Sequence, residues 1–198
     1  MNAFSSPLSL PDAQAVVRPR MPALIQAMDT SWKTWWNDFA AQHAILDETG
    51  RAVIISQNWY WNVVLLLSED SGFHFDRENR QRFIKLDDSV VVRFKLLGGR
   101  LQTSNYPTLH ARKWETQAPL PDFPPLARLN LGYRLDKTGT RIEDAFLALP
   151  NGDEQSVNDW IWQVWGSPID LSTFGIQYRL GQTGPVYDYE DFSAQYGS

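Results

Sequence analysis

Leu24, Ile25, Met28, Trp32, Trp35, Trp36, Phe39 and Leu46 recur at spacings of three, four and seven. That period predicts an amphipathic helix over Pro22–Leu46, with Pro22 in the first turn and Asp47-Glu48-Thr49-Gly50 closing it. The next stretch, RAVIISQNWYWNVVLLLSED, is β-branched and aromatic. It predicts two short strands, Arg51–Ser56 and Tyr60–Leu67, joined through Gln57-Asn58-Trp59. A single buried helix competes, because a short apolar run has no period to decide between them. Asp76–Leu86 is polar until Phe83, Ile84 and Leu86, and fits a short charged helix. Ser89–Leu97 (SVVVRFKLL) reads as a strand ended by Gly98-Gly99.

From Leu101 to Pro125 the period is lost, and Pro107, Pro119, Pro121, Pro124 and Pro125 mark a long surface loop. Regular alternation returns at Leu129, Leu131, Tyr133 and Leu135, which predicts a half-buried strand. Asp136–Thr140 is turn chemistry, and Arg141–Leu149 is the return strand, with a bulge expected at Asp144-Ala145. Pro150-Asn151-Gly152-Asp153 suits a hairpin loop before a third strand, Val157–Trp165. Asp170–Leu180 fits one helical turn, and 181–198 a surface tail rich in Gly, Tyr and Asp. Residues 1–20 lack a period and read as a flexible or loosely docked arm. The expected fold is therefore α+β: one domain over 21–198, a long N-terminal helix on a mainly antiparallel sheet, and a C-terminal three-stranded meander.

Composition narrows the chemistry. There is no cysteine, which excludes a disulfide framework and thiol catalysis. The first residues lack the charged and apolar regions of a secretory leader, and Val63–Leu67 is far too short to span a bilayer. The cytoplasm is the expected compartment, with no membrane partner. The net charge of −5 is unevenly spread. Met1–Ile142 holds 17 Lys+Arg against 14 Asp+Glu, whereas Glu143–Ser198 holds Arg179 alone against 9 acids. A block this acidic disfavours direct nucleic-acid contact and attracts basic surfaces.

Catalytic motifs are sparse. His74 and Asp76 share one face of an extended segment, and His110 and Glu115 follow in the Pro-rich loop, so the four form a candidate metal set for the alternative reading, a metal-dependent hydrolase or oxygenase. Their spacing matches no zinc signature, and no cofactor is expected. Asp87, Asp88, Arg93 and Lys95 bracket a strand and loosely suggest metal-assisted hydrolysis, although strand caps use the same residues. Arg77, Arg80, Arg82 and Lys85 lie among Phe73, Phe75 and Phe83, but neighbouring acids cancel their field. Gly-x-Ser-x-Gly and phosphate-cradling loops are both missing.

The aromatic and acidic residues carry the main functional expectation. Nine tryptophans exceed the needs of a core this size. Trp160 and Trp162 share one face of the last strand, as Trp59 and Trp61 share one face of theirs, which offers a platform for a sugar or an apolar ligand. Rings set among acids suit protein docking. Glu143, Asp144, Asp153, Glu154, Asp159, Trp160, Trp162, Asp188, Tyr189, Glu190 and Asp191 are the expected partner-binding residues. The expected partner is a protein with a basic surface, and the expected role is a non-enzymatic inhibitor or regulator of the immunity-protein, antitoxin or phage-encoded kind.

Overall fold

A computed structural model describes residues 8–78, 81–98, 101, 103, 108–120, 125–150 and 158–167. Among these, helices α1 (Leu10–Val17), α2 (Met21–Asp38) and α3 (Glu48–Leu66) precede six strands. The strands are β1 (Phe73–Glu78), β2 (Gln81–Leu86), β3 (Val90–Leu96), β4 (Ala127–Leu135), β5 (Ile142–Pro150) and β6 (Asn158–Gly166). A short helix, α4 (Leu109–Glu115), lies between β3 and β4 in the chain. The fold is α+β, as expected, and its six strands form one sheet in sequence order.

Helix α2 follows the expected period. Leu24, Ile25, Met28, Trp32 and Trp35 are buried, and the charged and amide side chains lie outward. The helix stops at Asp38 rather than continuing to Leu46. The Trp35 carbonyl accepts hydrogen bonds from both the Phe39 N–H and His43 Nε2, which closes the last turn. Residues 10–17 depart from the expected arm: Ser9 caps α1 by accepting from the Asp12 N–H, and Leu10, Ala13 and Val17 are buried at spacings of three and four. Trp160 Nε1 donates to the Leu8 carbonyl at 2.8 Å, which ties this segment to β6.

The two expected strands at 51–67 are one helix, α3. Its N-cap is Asp47, whose carboxylate accepts from the Gly50 N–H at 2.8 Å. The tetrad expected to end a helix therefore begins one. Ile55, Trp59, Val63 and Leu67 recur every four residues on the buried side, but apolar residues on the outer side hide that period in the sequence.

Asp76–Leu86 is likewise not a helix but most of the β1–β2 hairpin, with His74 opposite Lys85 and Asp76 opposite Phe83. Ile84 and Leu86 point into the helical core while Phe83 lies on the other face, an alternation that only a strand permits. The β2–β3 turn places Asp87 and Asp88 at φ of 50° and 49°, a left-handed conformation that aspartate tolerates better than most residues. Arg20, at the α1–α2 junction, bonds Asp70 at 2.6 Å and Asp87 at 2.7 Å. It clamps the helices to that turn and holds the Asp70 carboxyl below its usual range.

The C-terminal meander β4–β5–β6 is antiparallel throughout, and its register shifts at Ala145/Phe146, one residue beyond the expected bulge. Strands β3 and β4, by contrast, are parallel. A parallel pair needs a crossover connection, and the described part of it, residues 108–120, lies over the sheet and contains α4, capped by Thr108. The sheet thus has a near face covered by α1–α3 and a far face carrying α4. On the far face Leu97, Leu101, Phe146, Ala148 and Ile161 form a second apolar cluster. Gly132 admits Leu97, since a Cβ there would lie 2.4 Å from that side chain.

Candidate functional site

Alternation along β3 sends Val90, Val92 and Phe94 to the near face and Val91, Arg93 and Lys95 to the far face. The crossover then lays α4 over these cations. The Arg93 guanidinium, 4% exposed, ion-pairs with Glu115 and bonds Asn130 Oδ1 at 3.2 Å. It also lies 4.6 Å from the ring centre of Trp114, whose Nε1 donates to the same Asn130 oxygen. Burial pulls the Arg93 pKa down and the Glu115 charge opposes that shift. On β4, Arg128 is buried as well, donates to the Ala118 carbonyl, and is lowered to about 10 by burial and by Arg93. Gln117 joins the layer by bonding the Arg128 backbone at both N–H and C=O. The sheet's far face is therefore strongly cationic around α4.

Beside this layer the sheet opens. Pairing of β2 with β3 ends at Ile84 opposite Val92, while β3 continues against β4 to Leu96. The Tyr60 hydroxyl from α3 spans the gap, donating to the Arg82 carbonyl at 2.6 Å and accepting from the Phe94 N–H at 3.1 Å. Burial pushes that hydroxyl up to about 12. Next to it lies a cleft of about 730 Å3 between α3, the free half of β3 and α4. Arg82, Arg93 and Lys95 supply its cations, Glu48 its carboxylate, and Tyr60, Phe94, Leu96 and Tyr133 much of its wall.

Two groups in the cleft lack partners among the described residues. Half-buried Lys95 makes no hydrogen bond or ion pair, and the buried Tyr133 hydroxyl is likewise unsatisfied. Burial, and then the charge of Arg93, lower the Lys95 pKa from 10.5 to about 8, while Glu115 acts in the opposite direction. The folded value lies below the unfolded one, so between those pH values the unfolded chain binds more protons. Lys95 therefore makes folding more favourable as pH rises from about 8 to 10.5. Urea midpoints across that range should climb less steeply in Lys95→Gln than in the wild type. Equal slopes would remove the perturbed amine.

A third feature is the outer side of α3. Between Arg51 and Glu69 the sequence has no charged residue. Val53, Gln57, Trp61 and Leu65, spaced by four, face solvent, with Trp61 64% exposed and Leu66 beside them. Exposed acids sit at both ends of this ridge, Asp47 and Glu48 at one and Glu69 at the other.

Of the residues expected to bind a partner, the five that are described, Glu143, Asp144, Asp159, Trp160 and Trp162, do not form one outward surface. Trp160 and Trp162 are fully buried in the near-face core, because their side of β6 is the side that α1 and α2 cover. Asp144 is 1% exposed and takes both Nε and Nη2 of Arg134, while Asp159 is buried. Desolvation raises the Asp144 pKa against the pull of Arg134. Glu143 alone of the described set is exposed, 3.3 Å from Arg134. Asp153, Glu154, Asp188, Tyr189, Glu190 and Asp191 lie outside the described residues. The aromatic platform is not formed either, since Trp59 is buried and only Trp61 is open.

The candidate metal set is also divided. His74 and Asp76 are exposed on edge strand β1, whereas His110 and Glu115 are on α4, and no group of three or more such side chains among the described residues could hold an ion. His110 is lowered by burial and by Arg93, Arg128 and Lys113, surroundings that repel a cation. Asp87 and Asp88 do not approach Arg93 and Lys95 as a hydrolytic cluster would, since they bond Arg20 and Lys85 in the turn before β3. Arg82 faces Arg77 across the hairpin, and Phe83 is buried. Arg80 lies outside the described residues. Glu115 as the partner of Arg93 was not legible in the sequence, which gives no signal of the 22-residue contact.

No family model, curated protein or solved structure matches this chain. Among the described residues no helix is long and apolar enough to cross a membrane.

Proposed function

We propose that this protein acts by binding another protein, with the outer side of α3 as its contact surface. The partner offers an apolar groove edged with basic side chains, and occupancy of that groove inhibits or regulates it. The observation that carries this reading is the uncharged ridge Val53–Gln57–Trp61–Leu65 on a helix whose opposite side is already packed. A solvated helix face ordinarily carries charges, and an apolar one exposed to water favours being covered. An exposed tryptophan on such a ridge is the usual energetic centre of a protein contact. The acids at both ends of the ridge and the net charge of −5 favour a basic rim on the partner and speed encounter with it. The class of function matches the expectation from the sequence, but the supporting surface is a different one.

Trp61→Ala should weaken the partner complex by about 2 kcal/mol, roughly thirtyfold. Because this ring is mostly in solvent, folding stability should shift by no more than about 0.5 kcal/mol. A photo-reactive residue at Gln57 tests the surface directly, with one at Lys137 as the control. A discrete adduct from position 57, competed by unlabelled wild type but not by Trp61→Asp, supports the proposal. Labelling no stronger than at position 137 ends it, and an adduct consisting of two copies of this chain replaces the foreign partner with self-association.

A further inference from the structure

The cleft beside Lys95 borders the α3 surface and shares Val53 and Glu48 with it, but its chemistry is different. We propose that it is a binding site for a small organic monoanion, a carboxylate on an apolar body, held by the Lys95 ammonium. Its volume, about 730 Å3, is in the range of small-molecule sites. Phe94, Leu96 and Val53 offer apolar wall to the body of the ligand.

Charge decides the class of anion. Lys95 and Arg93 on β3, Arg82 on β2 and Glu48 on α3 line the cleft, and Glu115 on α4 acts on Lys95 together with Arg93. Glu115 neutralises Arg93, and Glu48 offsets one of the two remaining cations. One positive charge is left, which matches a monoanion and leaves a phosphate dianion undercompensated. Neither Lys95 nor Arg82 has a carboxylate partner among the described residues. Half-buried Lys95 is an ammonium that burial and Arg93 both disfavour, and a bound carboxylate reverses that penalty. Binding therefore drives Lys95 toward its protonated form. With a free value near 8, the complex takes up roughly half a proton at pH 8 and almost none at pH 6.

Calorimetric titration of the full chain with benzoate, benzamide and inorganic phosphate tests this. The expected result is saturable benzoate binding, with the neutral amide and phosphate each weaker by about tenfold or more. At pH 8 the benzoate heat should vary with the ionisation enthalpy of the buffer, and at pH 6 it should not. Lys95→Gln and Lys95→Met should each lower benzoate affinity by about tenfold and abolish the buffer dependence. The proposal is overturned by absent benzoate binding, by benzamide binding equally well, or by phosphate binding more tightly. It is also overturned if folded Lys95 variants titrate like the wild type. The buffer dependence is read on the wild-type protein alone, so its absence at pH 8 is decisive even if neither variant folds.

Discussion

Glu115→Ala should destabilise the protein by about 3–5 kcal/mol, a large share of the total stability of a domain this size. The Arg93 side chain is 4% exposed, and its compensating carboxylate comes from α4. Truncating Glu115 leaves a guanidinium under the crossover with only Asn130 and the Trp114 ring to receive it. It also removes the carboxylate to which Thr103 Oγ1 and Asn130 Nδ2 donate. Neutral Glu115→Gln retains an acceptor and should cost less, about 1–3 kcal/mol. The double variant Arg93→Met/Glu115→Leu should recover much of the loss, because removing both charges also removes their desolvation cost. Chemical denaturation of the four proteins measures this. A loss below about 1 kcal/mol for Glu115→Ala would show that Arg93 stays solvated and that the polar layer is not sealed.

Trp59→Ala should cost a similar amount, about 3–5 kcal/mol. The indole is fully buried and lies parallel to Phe94 of β3, with ring centres 4.6 Å apart. Its Nε1 donates to the Leu24 carbonyl of α2 at 3.1 Å. One side chain thus holds α3 to its neighbouring helix and to the sheet. Phe94 in turn stacks on Tyr133 at 5.1 Å, so the effect extends into the cleft wall. Trp59→Phe keeps a ring against Phe94 but removes the indole's hydrogen bond to the Leu24 carbonyl, which retains its partner within α2, for a loss of about 1 kcal/mol. The same substitution should loosen Tyr60, the next residue, whose hydroxyl spans the break between β2 and β3. Hydrogen exchange at the Phe94 amide would report this. Unchanged protection there would show that the bridge does not depend on the stacked indole.

Both variants act where the sequence was hardest to read, and the reasons are physical. Helix α2 was legible because its apolar residues occupy one side only. Helix α3 uses the same residue types on its packed and exposed sides, so the period that separates helix from strand vanished. The β1–β2 hairpin was obscured by its charged residues, which resemble a solvated helix in sequence but which pairing divides between the faces, Arg77 and Arg82 on the side of Ile84 and Leu86 and Asp76 and Lys85 on the other. The indoles of β6 were assigned correctly to a common face, but alternation along a strand does not say which face the helices cover.

Taken alone, the chain determined what depends on neighbours in sequence: the amphipathic α2, the strand at Val90–Leu96 with Arg93 and Lys95 on one side, the antiparallel meander and the lack of thiol chemistry. The tertiary structure decided what depends on distant segments meeting. Parallel pairing of β3 with β4 carries the crossover over the far face, and so brings Glu115 to Arg93. Early separation of β2 from β3 opens the cleft at Lys95, and packing of α3 by one side leaves Trp61 in water. Local periodicity encodes which residues share a face, whereas the charge and solvent around that face are set by segments far away in the chain.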